Sequence, residues 1–260
     1  MAGLRTVSLV IALVGVLAMP AAGALRLPAP VPNRTIDLPV LMYHRVGPIL
    51  ASQPAVTQTL TVSPANFAAQ MTWLHAHGYH AITPRQAFEA LEYGRPLPAK
   101  PVMITFDDGY RDILWHAAAV LHRLHMPATA YIITGRVSGP DPSFLTWPEL
   151  VRLEKFGFTI GSHTVTHRDL RLMSSTEAYR ELRDSRLALQ QHLGRPVQWL
   201  AYPFGAENAS VVALALKAGY VLALTTQGGV TQSGAQPLLL HRYEVTDSTG
   251  VSGLAGIVGG

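Results

Sequence analysis

Thr105-Phe-Asp-Asp-Gly-Tyr-Arg111 sets two adjacent carboxylates where an apolar run stops. Val102, Met103, Ile104 and Phe106 read as a short buried strand, and Gly109 is a turn signal. Successive strand side chains point to opposite faces, so Asp107 and Asp108 are expected to diverge and do different jobs. Taken alone, Asp-Asp-Gly is an ordinary turn sequence, with Asp108 starting the helix that follows. What raises it above a turn is the position of the other polar residues along the chain.

Outward from this strand, apolar runs alternate with helical patterns. Strands are expected over 39–43, 79–82, 101–106, 128–133, 158–162, 197–202 and 221–225, with an eighth over 238–245. Helices are expected to start at Ser63-Pro64, at Pro84, at Trp147-Pro148-Glu149, at the capping box Ser174-x-x-Glu177 and at Asn208. One more is expected over 110–125, and 47–62 reads as a surface loop. Strands alternating with helices imply βαβ units and parallel strands, and seven or eight such units form an α/β fold of (β/α) barrel type. His44, Asp107 and Asp108, His163, Pro203-Phe204 and His241 then all fall at C-terminal ends of strands. In a barrel those ends share the face that carries active sites.

The first 25 residues hold one charge, Arg5, and Val7 to Met19 is almost wholly apolar. Ala22-Gly23-Ala24 follows with small residues, so 1–24 reads as a signal peptide, with retention as an anchor the competing reading. Three prolines make 25–38 a flexible lead-in, leaving 39–260 as one catalytic domain. The location implied is outside the cytoplasm, periplasmic or extracellular, with no stable membrane span once the signal is removed. The chain has no cysteine, so an exported form is stable without disulfides. A net charge of +4 without a dense Lys/Arg run argues against a nucleic-acid partner.

His163 and His167 stand four apart in His-Thr-Val-Thr-His. In extended chain they would lie about 13 Å apart at ~3.3 Å per residue, too far to share an ion. A helical turn is therefore needed to bring both rings to one face, although Thr-Val-Thr is poor helix sequence. No Glu follows the first His, so the zinc-protease pattern fails. A third ligand would be a carboxylate at a neighbouring strand end. Two His and one carboxylate leave a position open for water, which is a catalytic arrangement.

Together these motifs resemble the polysaccharide deacetylase family, metal-dependent carbohydrate esterases that remove N-acetyl groups from amino sugars. The resemblance spans about 38–245. Thr-Phe-Asp-Asp-Gly-Tyr is similar to the family's first motif, which implies Asp107 as catalytic base and Asp108 as metal ligand. His-Thr-Val-Thr-His is similar to its second, implying His163 and His167 as the other ligands. Ala201-Tyr-Pro-Phe204 occupies the third, implying that Tyr202, Pro203 and Phe204 line the cleft and that a backbone N–H meets the oxyanion. Ala201 stands where the family has an Arg that pairs with the base, and Phe204 replaces a Tyr. Leu239-Leu240-His241 resembles the last motif, making His241 a candidate acid for the leaving amine. Leu-Met-Tyr-His44 resembles the start of the subgroup acting on β-1,6-linked poly-N-acetylglucosamine, which brings His44 into the candidate site.

The resemblance implies a distorted barrel, a divalent cation (Zn first, with Fe, Ni or Co as alternatives) and a polysaccharide partner containing N-acetylglucosamine. A carbohydrate-binding protein without turnover, or an O-acetyl esterase of the xylan type, is the alternative on the same fold. Trp147, Trp199 and Tyr202 are aromatic candidates for sugar stacking, with core packing the plainer reading.

Overall fold

The computed structural model describes residues 33–259. The signal peptide expected over 1–24 and most of the lead-in lie outside the described residues. Eight strands appear where the apolar runs fall: β1 (Val40–Tyr43), β2 (His80–Ala81), β3 (Pro101–Phe106), β4 (Ala128–Ile132), β5 (Phe158–Ser162), β6 (Trp199–Ala201), β7 (Leu222–Leu224) and β8 (Tyr243–Glu244). Between them run helices α1 (Pro64–Ala76), α2 (Pro84–Tyr93), α3 (Asp112–His116), α4 (Ala118–Arg123), α5 (Trp147–Lys155), α6 (Ser175–Leu193) and α7 (Ala209–Ala218), with α8 (Gly250–Val258) last. The helix starts follow local chemistry. Ser63 caps α1 ahead of Pro64, and Thr83 with Gln86 and Ser174 with Glu177 form capping boxes.

All strand pairs of this sheet are parallel, in the order β7-β6-β5-β4-β3-β1-β8. β2 pairs only with Pro101 and Val102 at the start of β3, which distorts the barrel. Closure comes from the segment expected as a single eighth strand. Leu240 bridges to Leu224 of β7, and Tyr243 and Glu244 then pair with Leu41 and Met42 of β1. His241 and Arg242 lie between these two pairings, so the expected strand is split in two.

Side chains alternate along each strand. Val40, Met103, Tyr131, Trp199, Ala201, Leu222 and Leu224 pack together inside the barrel with Leu240. Leu41, Tyr43, Ile104, Phe106, Ile132 and Ile160 face the helices instead. Burying each such side chain contributes roughly 1.5–3 kcal/mol. Gly161 makes room for the Tyr131 ring, since a Cβ there would stand 2.5 Å from Tyr131 Cε1.

Four other expectations of the fold differ from the structure. The lead-in ends in a strand: Thr35–Asp37 pairs antiparallel with Thr231–Ser233, and Leu38 is wholly buried, so the folded domain begins before 39. The loop over 47–62 contains a short helix, Ala55–Thr59. It also contains a strand, Thr61–Val62, paired with Arg45–Val46 because Val46 and Val62 are buried together. The helix expected over 110–125 begins only at Asp112, because Tyr110 is bridged to Phe144, and it breaks at buried Ala117. Tyr202 is not a cleft residue: its ring is buried in the core with Leu182, Val211 and Tyr220. Among the described residues no helix is long and apolar enough to cross a membrane.

Candidate active site

Asp107 continues the inward alternation of β3, with its N–H still donating to the Tyr43 carbonyl. Asp108 then takes a left-handed conformation, φ 70°, and the Gly109 N–H closes a tight turn onto the Asp107 carbonyl. That turn redirects Asp108 so the two carboxylates converge, where strand alternation alone would send them apart. Both reach His163 at the end of β5: His163 Nε2 lies 3.8 Å from Asp107 Oδ2 and 3.5 Å from Asp108 Oδ1.

His163 and His167 come together without a helical turn. Thr164 and His167 are both left-handed, with φ 65° and 59°, and the chain bends between them. Such residues cost about 1–3 kcal/mol each and persist only where the surroundings over-determine them. The Thr134 and Gly135 N–H groups donate to the Thr164 and Val165 carbonyls from one side. Glu181 of α6 accepts from Val165 and Thr166 on the other. The imidazole rings end with centroids 4.7 Å apart.

One ligand atom from each of Asp108, His163 and His167 lies within 4.8 Å of the others, and both Nε2 atoms stand 3.5 Å from Asp108 Oδ1. Two ligands each about 2.1 Å from one ion at a tetrahedral angle would be about 3.4 Å apart, which the two spacings to Asp108 Oδ1 match. Asp108 Oδ1 is buried and has no hydrogen-bond partner, a costly state that a cation between the three groups relieves. His163 Nδ1 donates to the Ala201 carbonyl at 2.7 Å, which fixes the tautomer with Nε2 free to ligate. Burial, then the charge of His163, lowers the His167 pKa to about 4, so its ring is neutral and ligand-competent at neutral pH.

The residue that sequence reasoning missed is Arg242. Its guanidinium is wholly buried and grips Asp107 in a fork, Nη1 to Oδ1 at 2.7 Å and Nη2 to Oδ2 at 2.8 Å, while Nε donates to the Thr225 carbonyl. Ala201 lacks the arginine, and Arg242 supplies the missing cation from the other side of the barrel mouth. Burial pushes the Asp107 pKa up, but Arg242, His163 and His44 outweigh it and hold the carboxyl well below the usual carboxylate range.

The remaining candidates separate. His44 stands at the end of β1, mostly buried, with Nδ1 4.0 Å from Glu244 Oε1, and its charge acts on both Asp107 and His167. His241 packs elsewhere. In extended chain neighbours face opposite ways, so with Arg242 turned to Asp107 the His241 ring lies against Gly229, where a Cβ would be 2.5 Å from Nδ1. Pro203 is buried, and Phe204 is a left-handed residue whose ring is 63 % exposed beside His167, centroids 4.6 Å apart.

With carboxylates, a histidine pair and an exposed aromatic gathered at one barrel mouth, comparison with known proteins is decisive. Residues 94–223 match the family described as polysaccharide deacetylase. YxkH of Bacillus subtilis, whose name assigns it to polysaccharide deacetylases, is 33 % identical over 223 residues, 86 % of this chain and 76 % of that one. The chain belongs to the polysaccharide deacetylase family. It is a hydrolase of the kind that removes acetyl groups through amide cleavage. The poly-β-1,6-N-acetyl-D-glucosamine N-deacetylase of Staphylococcus aureus is 25 % identical over 227 residues, 80 % of this chain and 78 % of that one. Among solved structures, the deacetylase PplD of Streptococcus pyogenes, in complex with acetate, superposes with a TM-score of 0.80 at 27 % identity. The match covers 86 % of this chain and 99 % of that one.

Proposed function

We propose that this member of the family is a metal-dependent N-deacetylase acting on an N-acetylglucosamine-containing polysaccharide outside the cytoplasm. The observation that carries the reading is the ionised Asp107, gripped by Arg242, standing beside the Asp108–His163–His167 group. A binding-only site would have no use for a fixed base next to a ligand set. The S. aureus relative is named for N-deacetylation of poly-β-1,6-N-acetyl-D-glucosamine, which supports that polymer as the first substrate to test. The apolar stretch from Val7 to Met19 and Ala22-Gly23-Ala24 support export.

A divalent cation held by Asp108, His163 and His167, Zn before Fe, Ni or Co, would supply Lewis acidity toward the acetamide carbonyl and acidify an attacking water. Asp107 is the base that takes the water's proton, and Arg242 fixes which oxygens it can offer. Holding the carboxylate ionised lowers its strength as a base, and the greater acidity of the water offsets that. The Phe204 N–H is the candidate donor to the developing oxyanion, and the Phe204 ring forms an apolar wall beside His167. His44, at the end of β1 beside Glu244, is the candidate to return a proton to the departing amine in preference to His241.

The deciding experiment is a deacetylation assay on β-1,6- and β-1,4-linked N-acetylglucosamine polymers and on acetylated xylan, with and without chelator. Release of acetate from an aminosugar polymer, abolished by chelator and restored by Zn²⁺, is the expected result. Release from xylan alone would make the protein an O-acetyl esterase. Glycan binding without acetate release would make it a binding protein.

A further inference from the structure

We propose that Glu181 is a positioning residue of the metal centre, a buried carboxylate on α6 that holds the 163–167 loop in the one shape that offers both histidines to a single cation. The inference rests on the reading of Asp108, His163 and His167 as a cation site. Glu181 is 9 % exposed, and its carboxylate hydrogen bonds go to this loop. Oε2 accepts from the Val165 N–H at 2.9 Å and the Thr166 N–H at 2.8 Å, and Oε1 accepts from Thr166 Oγ1 at 2.8 Å. These are two of the three residues between the ligands. Their N–H groups turn away from the imidazoles because Thr164 and His167 are left-handed.

The helix that carries Glu181 is itself anchored. Ser174 and Glu177 cap its first turn, Leu182 and Leu189 are wholly buried, and Tyr220 donates to the Leu182 carbonyl. One turn on, on the same face, Ser185 Oγ bonds Ser162 Oγ at 2.8 Å, and Ser162 Oγ accepts from the Thr164 N–H. One face of α6 thus fixes the chain just before His163 and just before His167. A carboxylate suits the position because it only accepts, and three donors converge on it. Gln can present its carbonyl oxygen to the two N–H groups while its amide donates to Thr166 Oγ1. Ala leaves both N–H groups without this acceptor and frees the loop from α6, and Asp is one methylene too short to reach them.

The test is Zn²⁺ affinity of metal-stripped protein, read by competition with a chromophoric chelator, alongside circular dichroism and melting of the metal-free form. Glu181→Ala should fold and bind Zn²⁺ about 10–100-fold more weakly, the range found when a partner that orients a ligand is removed. Glu181→Gln should recover most of the affinity. Thr166→Val, which removes one of the three bonds from the loop side, should give a smaller loss and should add little on top of Glu181→Ala. A residue that only stabilises the fold would lower the metal-free melting point and leave the affinity of the folded protein unchanged, and that result would overturn the proposal. Should Glu181→Ala not fold, Thr166→Val and Glu181→Asp decide it on the same readout, wild-type affinity in both overturning it. Failure of the wild type itself to bind Zn²⁺ would remove the cation site and the role of Glu181 together. Wild-type binding with unaltered binding by the variants would remove only the latter.

Discussion

Arg242 and Asp107, 135 positions apart in sequence, meet in two parallel hydrogen bonds of 2.7 and 2.8 Å with both side chains out of water. Breaking a buried pair leaves one charge uncompensated and costs about 3–5 kcal/mol of stability. Arg242→Gln is therefore expected to melt earlier and to change the pH profile in a defined direction. Burial raises the Asp107 pKa and Arg242 is the largest influence lowering it. Without the guanidinium the carboxyl protonates at higher pH, so the acid limb of the pH–rate profile moves upward. Arg242→Lys, which cannot make the fork, is expected to restore little. An acid limb that stays in place in either variant would show that Arg242 does not set the ionisation of the base.

Asp107→Asn keeps the shape of the base and removes its proton affinity. Because Asp108, His163 and His167 form the ligand group on their own, metal content should be unchanged. Turnover should drop by about 10²–10⁴-fold, the usual contribution of a general base. Metal analysis beside steady-state rates checks both halves, and unchanged turnover at full occupancy would remove Asp107 from the mechanism.

How much of this was legible in the chain depends on how local each feature is. Asp107 and His163 announce themselves because each follows an apolar run, Asp108 and His167 by their spacing from those two, and the barrel brings strand ends to one face. Arg242 carries no local signal, being a single cation just before β8 whose partner is distant in sequence. A signal did exist at a remove: Ala201 leaves the base without a cation, and a buried carboxylate beside a strand-end arginine must find one. The left-handed turns at Thr164 and His167 could not be read, since β-branched neighbours give no turn signature. They are imposed from outside by the loop at 134–135 and by Glu181. The split of the last strand is likewise invisible, because its halves pair with different neighbours, β7 and β1.

Metal binding should be visible as stability. A ligand that binds only the folded chain adds RT ln(1 + [L]/Kd), about 2.7 kcal/mol at one hundred times Kd. Zn²⁺ is thus expected to raise the melting temperature of stripped protein, and Asp108→Ala or His163→Ala should abolish the rise. Asp108 Oδ1 is buried without a partner, so Asp108→Asn should leave the metal-free melting point little changed while the Zn²⁺ response is lost. A Zn²⁺ response that persists in these variants would place the ion elsewhere.

The proton for the leaving amine separates two histidines. The ring of His241 packs on Gly229, away from the Asp107–Arg242 pair, whereas His44 acts electrostatically on both Asp107 and His167 and sits near Glu244. Glu244 is part of the short strand that closes the barrel against β1, so the carboxylate reaches His44 through the pairing of Tyr243 and Glu244 with Leu41 and Met42. An acid acts through its protonated form, so a histidine in this role gives a rate that falls as pH rises and the proton is lost. His44→Ala should remove that alkaline limb and depress hydrolysis of amides about 10²–10⁴-fold, the range for a general acid. An activated ester, whose leaving group needs no proton, should lose far less. His241→Ala should retain the limb and lower both rates alike, through the ring contact with Gly229 that it removes. Rates on an acetamide and an activated acetate, measured from pH 5 to 10 for both variants, give the answer. A lost limb in His241→Ala with a retained one in His44→Ala would reverse the assignment, and the barrel would have to rearrange around Arg242 to permit it.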